Sequence, residues 1–291
     1  MVCCCYGSLL SSNWEEASVT EIIYPELSYV VQGIYMDVYR ELQPGLREEL
    51  YEEAMTRDLE RERLSLDRQK PFPVFYKDTQ VGLYYPDLIV ADRILLELKA
   101  QPELTPLHVA QVISYLKVTG YKLGILMNFG GDWFEYRRIP NYVSDKVSIA
   151  PPEVPLRDDD GWLYPQLIHD LLGALYEVHR TLGPGFLHHV YRRATWAELQ
   201  RRRRPVASVK RIEVTYRGEL IGHQECRLLV VDDKVLVAAV ALGSINEAER
   251  RKFKMYLKRL ELQIGLLANF HDVSLQPEVI RVSKRNNERE N

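Results

Sequence analysis

An α/β fold built twice, each copy a mixed β-sheet flanked by helices, is the architecture this sequence predicts, and three observations carry the prediction. The chain matches itself at a long offset, each copy opens with two runs at helical spacing, and both copies then change to short β-branched and aromatic runs. The self-match begins where Tyr24-Pro25-Glu26-Leu27 falls on Tyr164-Pro165-Gln166-Leu167, an offset of 140. At that offset Gly33 meets Gly173, Val38 meets Val178, Pro44-Gly45 meets Pro184-Gly185, Tyr51 meets Tyr191, Ala54 meets Ala194 and Gly82 meets Gly222. One inserted residue then makes the offset 141, at which Tyr115-Leu116-Lys117 meets Tyr256-Leu257-Lys258, Gly124 meets Gly265 and Asn128-Phe129 meets Asn269-Phe270. A period this long exceeds the ~20–50 residues of solenoid repeats, so each copy is expected to be a whole domain with its own core.

The elements of the first copy follow in order. Leu27, Val30, Val31, Ile34, Val38 and Leu42 recur at helical spacing and predict a helix ending near Pro44-Gly45. A second helix is expected from about Leu46 to Leu64, with Leu50, Ala54 and Leu59 inward and a charged outer face. Phe72 to Tyr76, Gly82 to Val90 and Ile94 to Leu98 read as three antiparallel strands. Thr105-Pro106 is an N-cap followed by proline at the first helical position, opening a helix through about Val118 that Gly120 stops. Lys122 to Phe129 reads as a last buried strand, which makes the order α-α-β-β-β-α-β, repeated in the second copy. The expected divisions are a tail over 1–20, a domain over 21–146, a linker over 147–161, a second domain over 162–283 and a tail over 284–291. Prolines and a run of three aspartates mark the linker.

Composition excludes several classes. The longest apolar stretches, Val235 to Leu242 and Leu123 to Phe129, are far shorter than the ~20 residues of a membrane-spanning helix. The start, Met1-Val2-Cys3-Cys4-Cys5-Tyr6, lacks the basic and apolar regions of a secretory signal, so the reducing cytoplasm is the expected compartment. Three adjacent cysteines and a lone Cys226 are poorly spaced for zinc, and a frayed tail explains the cluster with less. The net charge of −3 divides unevenly, −7 over residues 1–150 and +4 over 151–291. Such a split permits one half to grip a polyanion while the other holds acids that would repel it unless a cation intervenes, though solvated faces produce similar imbalances.

The chemistry centres on one hairpin. A short turn at Ala91-Asp92-Arg93 pairs residues whose numbers sum to about 184, which sets Asp87 opposite Glu97. Cross-strand Cβ atoms in such a pair are about 4.5–5.5 Å apart, and like charges there are destabilising unless something offsets them. A hard divalent cation does so, and Mg²⁺ is commonly held by only one or two protein carboxylates. Side chains alternate along a strand, so Glu97 and Lys99 share a face while Leu98 points inward. An ammonium beside a bound cation can orient its water as a nucleophile, the equipment of phosphodiester hydrolysis. Taken singly, Asp87 also serves as a strand cap, Glu97 and Lys99 as a solvated edge pair, and Glu48 as a helix first-turn acid.

Pro86-Asp87, nine intervening residues and Glu97-Leu98-Lys99 together resemble the signature of the PD-(D/E)xK nuclease superfamily. Gly45-Leu46-Arg47-Glu48-Glu49-Leu50-Tyr51 resembles the motif that names the GxxExxY family within it, and Gln111 to Tyr115 resembles a QxxxY helix motif. The resemblance implies two tandem restriction-endonuclease-like domains and a metal-dependent nuclease acting on DNA or RNA. It implies Asp87, Glu97 and the Leu98 carbonyl as ligands of Mg²⁺ or Mn²⁺, Lys99 as the water-positioning residue, Glu48 and Gln111 at the cleft, and Tyr51 and Tyr115 in support. His108 is expected on a helix face, away from any metal.

In the second copy His188 replaces Glu48, Ala238 replaces Glu97, Val240 replaces Lys99 and Lys252 replaces Gln111, while Asp87 falls on Leu228 or, with a later insertion, on Arg227. The fold is expected to persist without the chemistry. His188 and His189 are adjacent on a helix and face different ways, against a shared metal. Arg201, Arg202, Arg203 and Arg204, with Arg192-Arg193 and Arg250-Arg251-Lys252, are candidates for neutralising nucleic-acid phosphates. The other role open to this copy is to replace the partner subunit of a homodimer. The rival to the enzyme is a non-catalytic nucleic-acid- or protein-binding module with a vestigial site.

Overall fold

The computed structural model describes residues 22–141 and 163–283. The two tails, the cysteine cluster and the 147–161 linker lie outside the described residues. In the first copy α1 (Pro25–Leu42) and α2 (Glu48–Arg61) precede β1 (Leu66–Arg68), β2 (Phe72–Tyr76), β3 (Thr79–Tyr84), β4 (Leu88–Val90) and β5 (Ile94–Lys99). Then come α3 (Pro106–Thr119), β6 (Leu123–Asn128) and β7 (Glu135–Pro140). The second copy runs α4 (Pro165–Leu182), α5 (His188–Arg201), β8 (Val206–Tyr216), β9 (Glu219–Val231), β10 (Val235–Val240), α6 (Glu247–Arg259), β11 (Ile264–Asn269) and β12 (Glu278–Arg281).

Each copy holds a five-stranded mixed sheet, ordered β1-β4-β5-β6-β7 in the first and β12-β11-β10-β9-β8 in the second. The parallel pairs are β5 with β6 and β10 with β11, joined by the crossover helices α3 and α6. This is the mixed α/β architecture of two tandem restriction-endonuclease-like domains. No described helix is long and apolar enough to cross a membrane.

The helices sit where the pattern puts them, although α2 turns Leu50, 44% exposed, to solvent and buries Tyr51, Met55 and Leu59 instead, and three strand assignments need correction. The expected strand from Gly82 to Val90 is two strands, because Tyr85-Pro86-Asp87 breaks it and proline cannot donate to a ladder. β2 and β3 leave the main sheet as a separate two-stranded hairpin, and β1 takes their place beside β4. The edge strands β7 and β12 extend the sheets beyond the strand expected to be last. In the second copy β8 and β9 run unbroken as one long hairpin.

The detached β2–β3 hairpin packs on the second copy. Tyr76 donates a 2.7 Å hydrogen bond to Glu198, Lys77 reaches Glu198 at 2.8 Å and Glu177 at 3.3 Å, and Arg201 pairs with Asp78. Val74, Tyr76, Val81 and Tyr84 join the apolar cluster around α4 and α5, so one core spans both copies. A second core lies between the first sheet and α1–α2, and a third between the second sheet and α6.

The residues shared by both copies are the ones that hold the fold. Tyr51 donates to the Gln43 carbonyl at 2.7 Å and accepts from the Leu46 amide at 3.1 Å. Tyr191 repeats both bonds, to Gly183 at 2.7 Å and from Phe186 at 3.0 Å. Each ring stacks on an equivalent phenylalanine, Phe129 or Phe270, with centroids 4.5 Å apart. Gly124 and Gly265 let α3 and α6 approach their sheets, since a Cβ would lie 2.4 Å from Val112 or 2.7 Å from Phe253.

Candidate active site

Both carboxylates of the candidate site come from one hairpin. Ala91 and Asp92 take left-handed φ values of 52°, closing the turn between β4 and β5. The ladder pairs Leu88 with Leu96, Ile89 with Leu95 and Val90 with Ile94, so every pair sums to 184 and the next position sets Asp87 opposite Glu97. Asp87 Oδ2 accepts a 2.7 Å hydrogen bond from the Leu98 amide, which draws its carboxylate onto β5.

Glu97 is 1% exposed. One of its oxygens, Oε1, lies 2.7 Å from the Lys99 ammonium, while the buried Oε2 has no hydrogen-bond partner. The Lys99 Nζ also donates to the Leu98 carbonyl at 2.7 Å and lies 3.4 Å from Glu48 Oε1, at the start of α2. Three oxygen acceptors from β5 and α2 therefore converge on one positive charge, the ammonium of Lys99.

Electrostatics reflects a shortage of cation. Burial pushes the Asp87 carboxyl up to about 6 against the lowering effects of the Leu98 amide and Lys99. Burial, and then the charge of Asp87, holds Glu97 well above the usual carboxylate range. Burial alone would lower the Lys99 ammonium, but Glu97, Asp87 and Glu48 outweigh it and raise the group. Two facing acids and an orphaned buried carboxylate oxygen form a donor set suited to a hard divalent cation. Among the described residues no three His, Cys, Asp or Glu side chains converge as a metal cage, so such a cation would rely on two carboxylates, a main-chain carbonyl and water.

The remaining expected residues separate into near and far. Gln111 on α3 donates to the Tyr115 hydroxyl at 2.7 Å, and Tyr115, raised by burial and by the charge of Glu97, borders the acidic pair. Tyr51 faces the loop before α2, the helix that carries Glu48, as described above. His108 completes a capping box with Thr105, accepting its amide at 3.2 Å.

Sequence reasoning overlooked Glu52, one turn beyond Glu48. It is 5% exposed and binds Arg68 and Gln69 at 3.1 Å each, adding negative potential at Asp87. The signal was present as three acids, Glu48, Glu49 and Glu52, in the first turns of a helix leading into the site.

At the matching place in the second copy, β9 and β10 pair Val237 with Leu229, so Ala238 faces Leu228, and Asp87 corresponds to Leu228 rather than Arg227. Leu228 and Ala238 belong to the apolar core under α6. The arginine run is largely engaged within the molecule. Arg202 pairs with Asp170 at 2.9 Å and Glu198 at 3.0 Å, Arg204 with Asp170 at 2.7 Å and Asp232 at 3.2 Å, and Arg201 with Asp78. Arg203, at φ 56°, and Lys252 on α6 are exposed. The rings of His188 and His189 are nearly perpendicular, with centroids 6.4 Å apart.

A family model for the PD-(D/E)XK nuclease superfamily matches residues 25–139 and again 165–282, and the chain belongs to that superfamily. Its members generally use divalent metals. No curated protein and no solved structure matches the chain.

Proposed function

We propose that this chain is a metal-dependent nucleic-acid phosphodiesterase of the GxxExxY type, with one active site, in a domain spanning 21–146. The 162–283 domain is non-catalytic and stands where the second subunit of a homodimer would, an intramolecular pseudo-dimer. The observation that carries this reading is the buried Asp87–Glu97 pair with its orphaned carboxylate oxygen, beside an ammonium already gathered by three oxygens.

Asp87, Glu97 and the Leu98 carbonyl are the residues that would hold Mg²⁺ or Mn²⁺. Bound there, the ion would supply Lewis acidity toward a phosphate oxygen and a nearby water. Lys99, in contact with Glu97 and the Leu98 carbonyl, would orient the attacking water and offset charge on the phosphate. Glu48 holds Lys99 from the α2 side, and Gln111, fixed by Tyr115, lines the cleft. The cytoplasm is the proposed compartment and nucleic acid the proposed substrate.

The test is cleavage of labelled single- and double-stranded DNA and RNA with Mg²⁺, Mn²⁺ or EDTA. Cutting is expected only with metal, and Asp87→Asn or Glu97→Gln is expected to reduce it by at least ~10²-fold with folding intact. Absence of cutting on every substrate, with binding retained, would favour a non-catalytic module that keeps the inherited acids.

A further inference from the structure

The two copies differ in more than the loss of a site. At an offset of 140, Glu52-Glu53 on α2 becomes Arg192-Arg193 on α5, and Arg68 on β1 becomes Ser208 on β8. In the first copy these three residues pair with one another, Arg68 reaching Glu52 at 3.1 Å and Glu53 at 2.8 Å. The second copy inverts both acids and deletes the matching countercharge.

What the exchange leaves is a cleft of about 620 Å³ between α5, β8, β9 and the first copy's β3. Arg192, Arg193, Lys210 and Arg227 line it, against a single carboxylate, Glu225. Arg193 donates to the Val81 carbonyl at 3.3 Å, and neither Arg192 nor Arg227 has an ion pair among the described residues. Burial and then the charges of Arg227 and Arg193 lower the Arg192 guanidinium, so the cations of the cleft act on one another. Trp196, 41% exposed, stands on the same wall. Unpaired cations set closely in a concave site attract an anion, and an aromatic face beside them offers stacking to a base.

We propose that this cleft is a binding site for the phosphates of a nucleotide or a single-stranded nucleic acid, with Arg192, Arg193, Lys210 and Arg227 gripping phosphate and Trp196 stacking on a base. The assignment is independent of the nuclease reading, since it needs neither metal nor cleavage. It also moves the cationic surface of this half from the Arg201–Arg204 run, largely paired, to the mouth between the copies.

The test uses the full chain carrying Glu97→Gln, in EDTA, so that loss of the nuclease site cannot affect the outcome. Anisotropy of a fluorescent single-stranded oligonucleotide is followed against salt, with a mononucleotide and inorganic pyrophosphate as competitors. Arg192→Gln and Arg227→Gln are each expected to weaken binding and to reduce the slope of log affinity against log salt by about one. Trp196→Ala is expected to weaken the oligonucleotide by about tenfold and to leave pyrophosphate unchanged. An oligonucleotide that outcompetes the mononucleotide assigns the site to a polymer, and equal affinities assign it to a free nucleotide. Melting temperatures of the arginine variants at or above the parent's would show that the fold is intact. Affinity unchanged in both arginine variants, or no binding of any of the three probes at low salt, would overturn the proposal, and indifference to Trp196→Ala would overturn its nucleotide part.

Discussion

The same corner of the same fold is acidic in one copy and basic in the other. In the first, Glu48, Asp87 and Glu97 act on one ammonium, that of Lys99, and Glu52, paired with Arg68, adds negative potential at Asp87. In the second, His188, Arg192 and Arg227 approach one another with no acid among them, and an apolar pair, Leu228 and Ala238, fills the place of the facing carboxylates. What both retain is the tyrosine that ties down the loop before the second helix, the glycine under the crossover helix and the asparagine at the end of the parallel strand. Asn128 and Asn269 each bridge the main chain after the neighbouring strand, at 2.8 Å to Gln101 and to Leu242. Duplication thus separates two roles within the stretch Gly45–Tyr51: the glycine and the tyrosine serve the backbone in both copies, and Glu48 is kept only beside Lys99 in the first.

That separation can be broken experimentally at several levels. The largest effect is expected at Lys99. Lys99→Ala removes the internal cation from three oxygens, so Mn²⁺ should bind the variant more tightly while cleavage falls by ~10²-fold or more. Calorimetry and a cleavage assay run side by side would detect this opposition, and a parallel loss of both would mean that Lys99 only supports the fold.

Tyr51→Phe and Tyr191→Phe should act in the same direction. Each strips a partner from a carbonyl and an amide, costing about 1–3 kcal/mol in chemical denaturation at Tyr191, where both groups are buried, and less at Tyr51, where Gln43 and Leu46 reach solvent. A much larger loss of activity than of stability in Tyr51→Phe would return that tyrosine to the chemistry.

The smallest effect concerns pH. Burial, followed by the charge of Arg193, pushes His189 down to about 4, below the ordinary value near 6.5. The folded state therefore resists a proton that the unfolded chain accepts. This contribution to stability is whole above about 6.5 and is lost as pH falls from there toward 4. Melting temperature measured across that window should fall less steeply in His189→Gln, and phosphate in the adjacent cleft should flatten the parent's curve.

Much of this was legible in the residues because it is local. A three-residue turn sets the hairpin register, so Asp87 and Glu97 could be placed opposite each other before any coordinates, and the ladder keeps the sum of 184. The helices followed from spacing and from Thr105-Pro106 and Gly120, and Gly120 indeed closes α3 at φ 75°. The detached hairpin was not legible, since what holds β2 and β3 away from the sheet is Glu198 and the α5 surface more than a hundred residues later. The basic cleft was missed for a related reason. The run Arg201–Arg204 dominates the composition, whereas the informative signal is the exchange of Glu52-Glu53 for Arg192-Arg193 at aligned positions, which only the pairing partners of Arg68 make meaningful.

The contrast between the copies is tested most directly by metal binding. Calorimetric titration of the full chain with Mn²⁺ should show one equivalent bound, abolished by Glu97→Gln and untouched by Arg192→Glu. No uptake, or uptake indifferent to Glu97→Gln, would contradict the assignment of a cation to the first copy and leave the paired acids without a purpose.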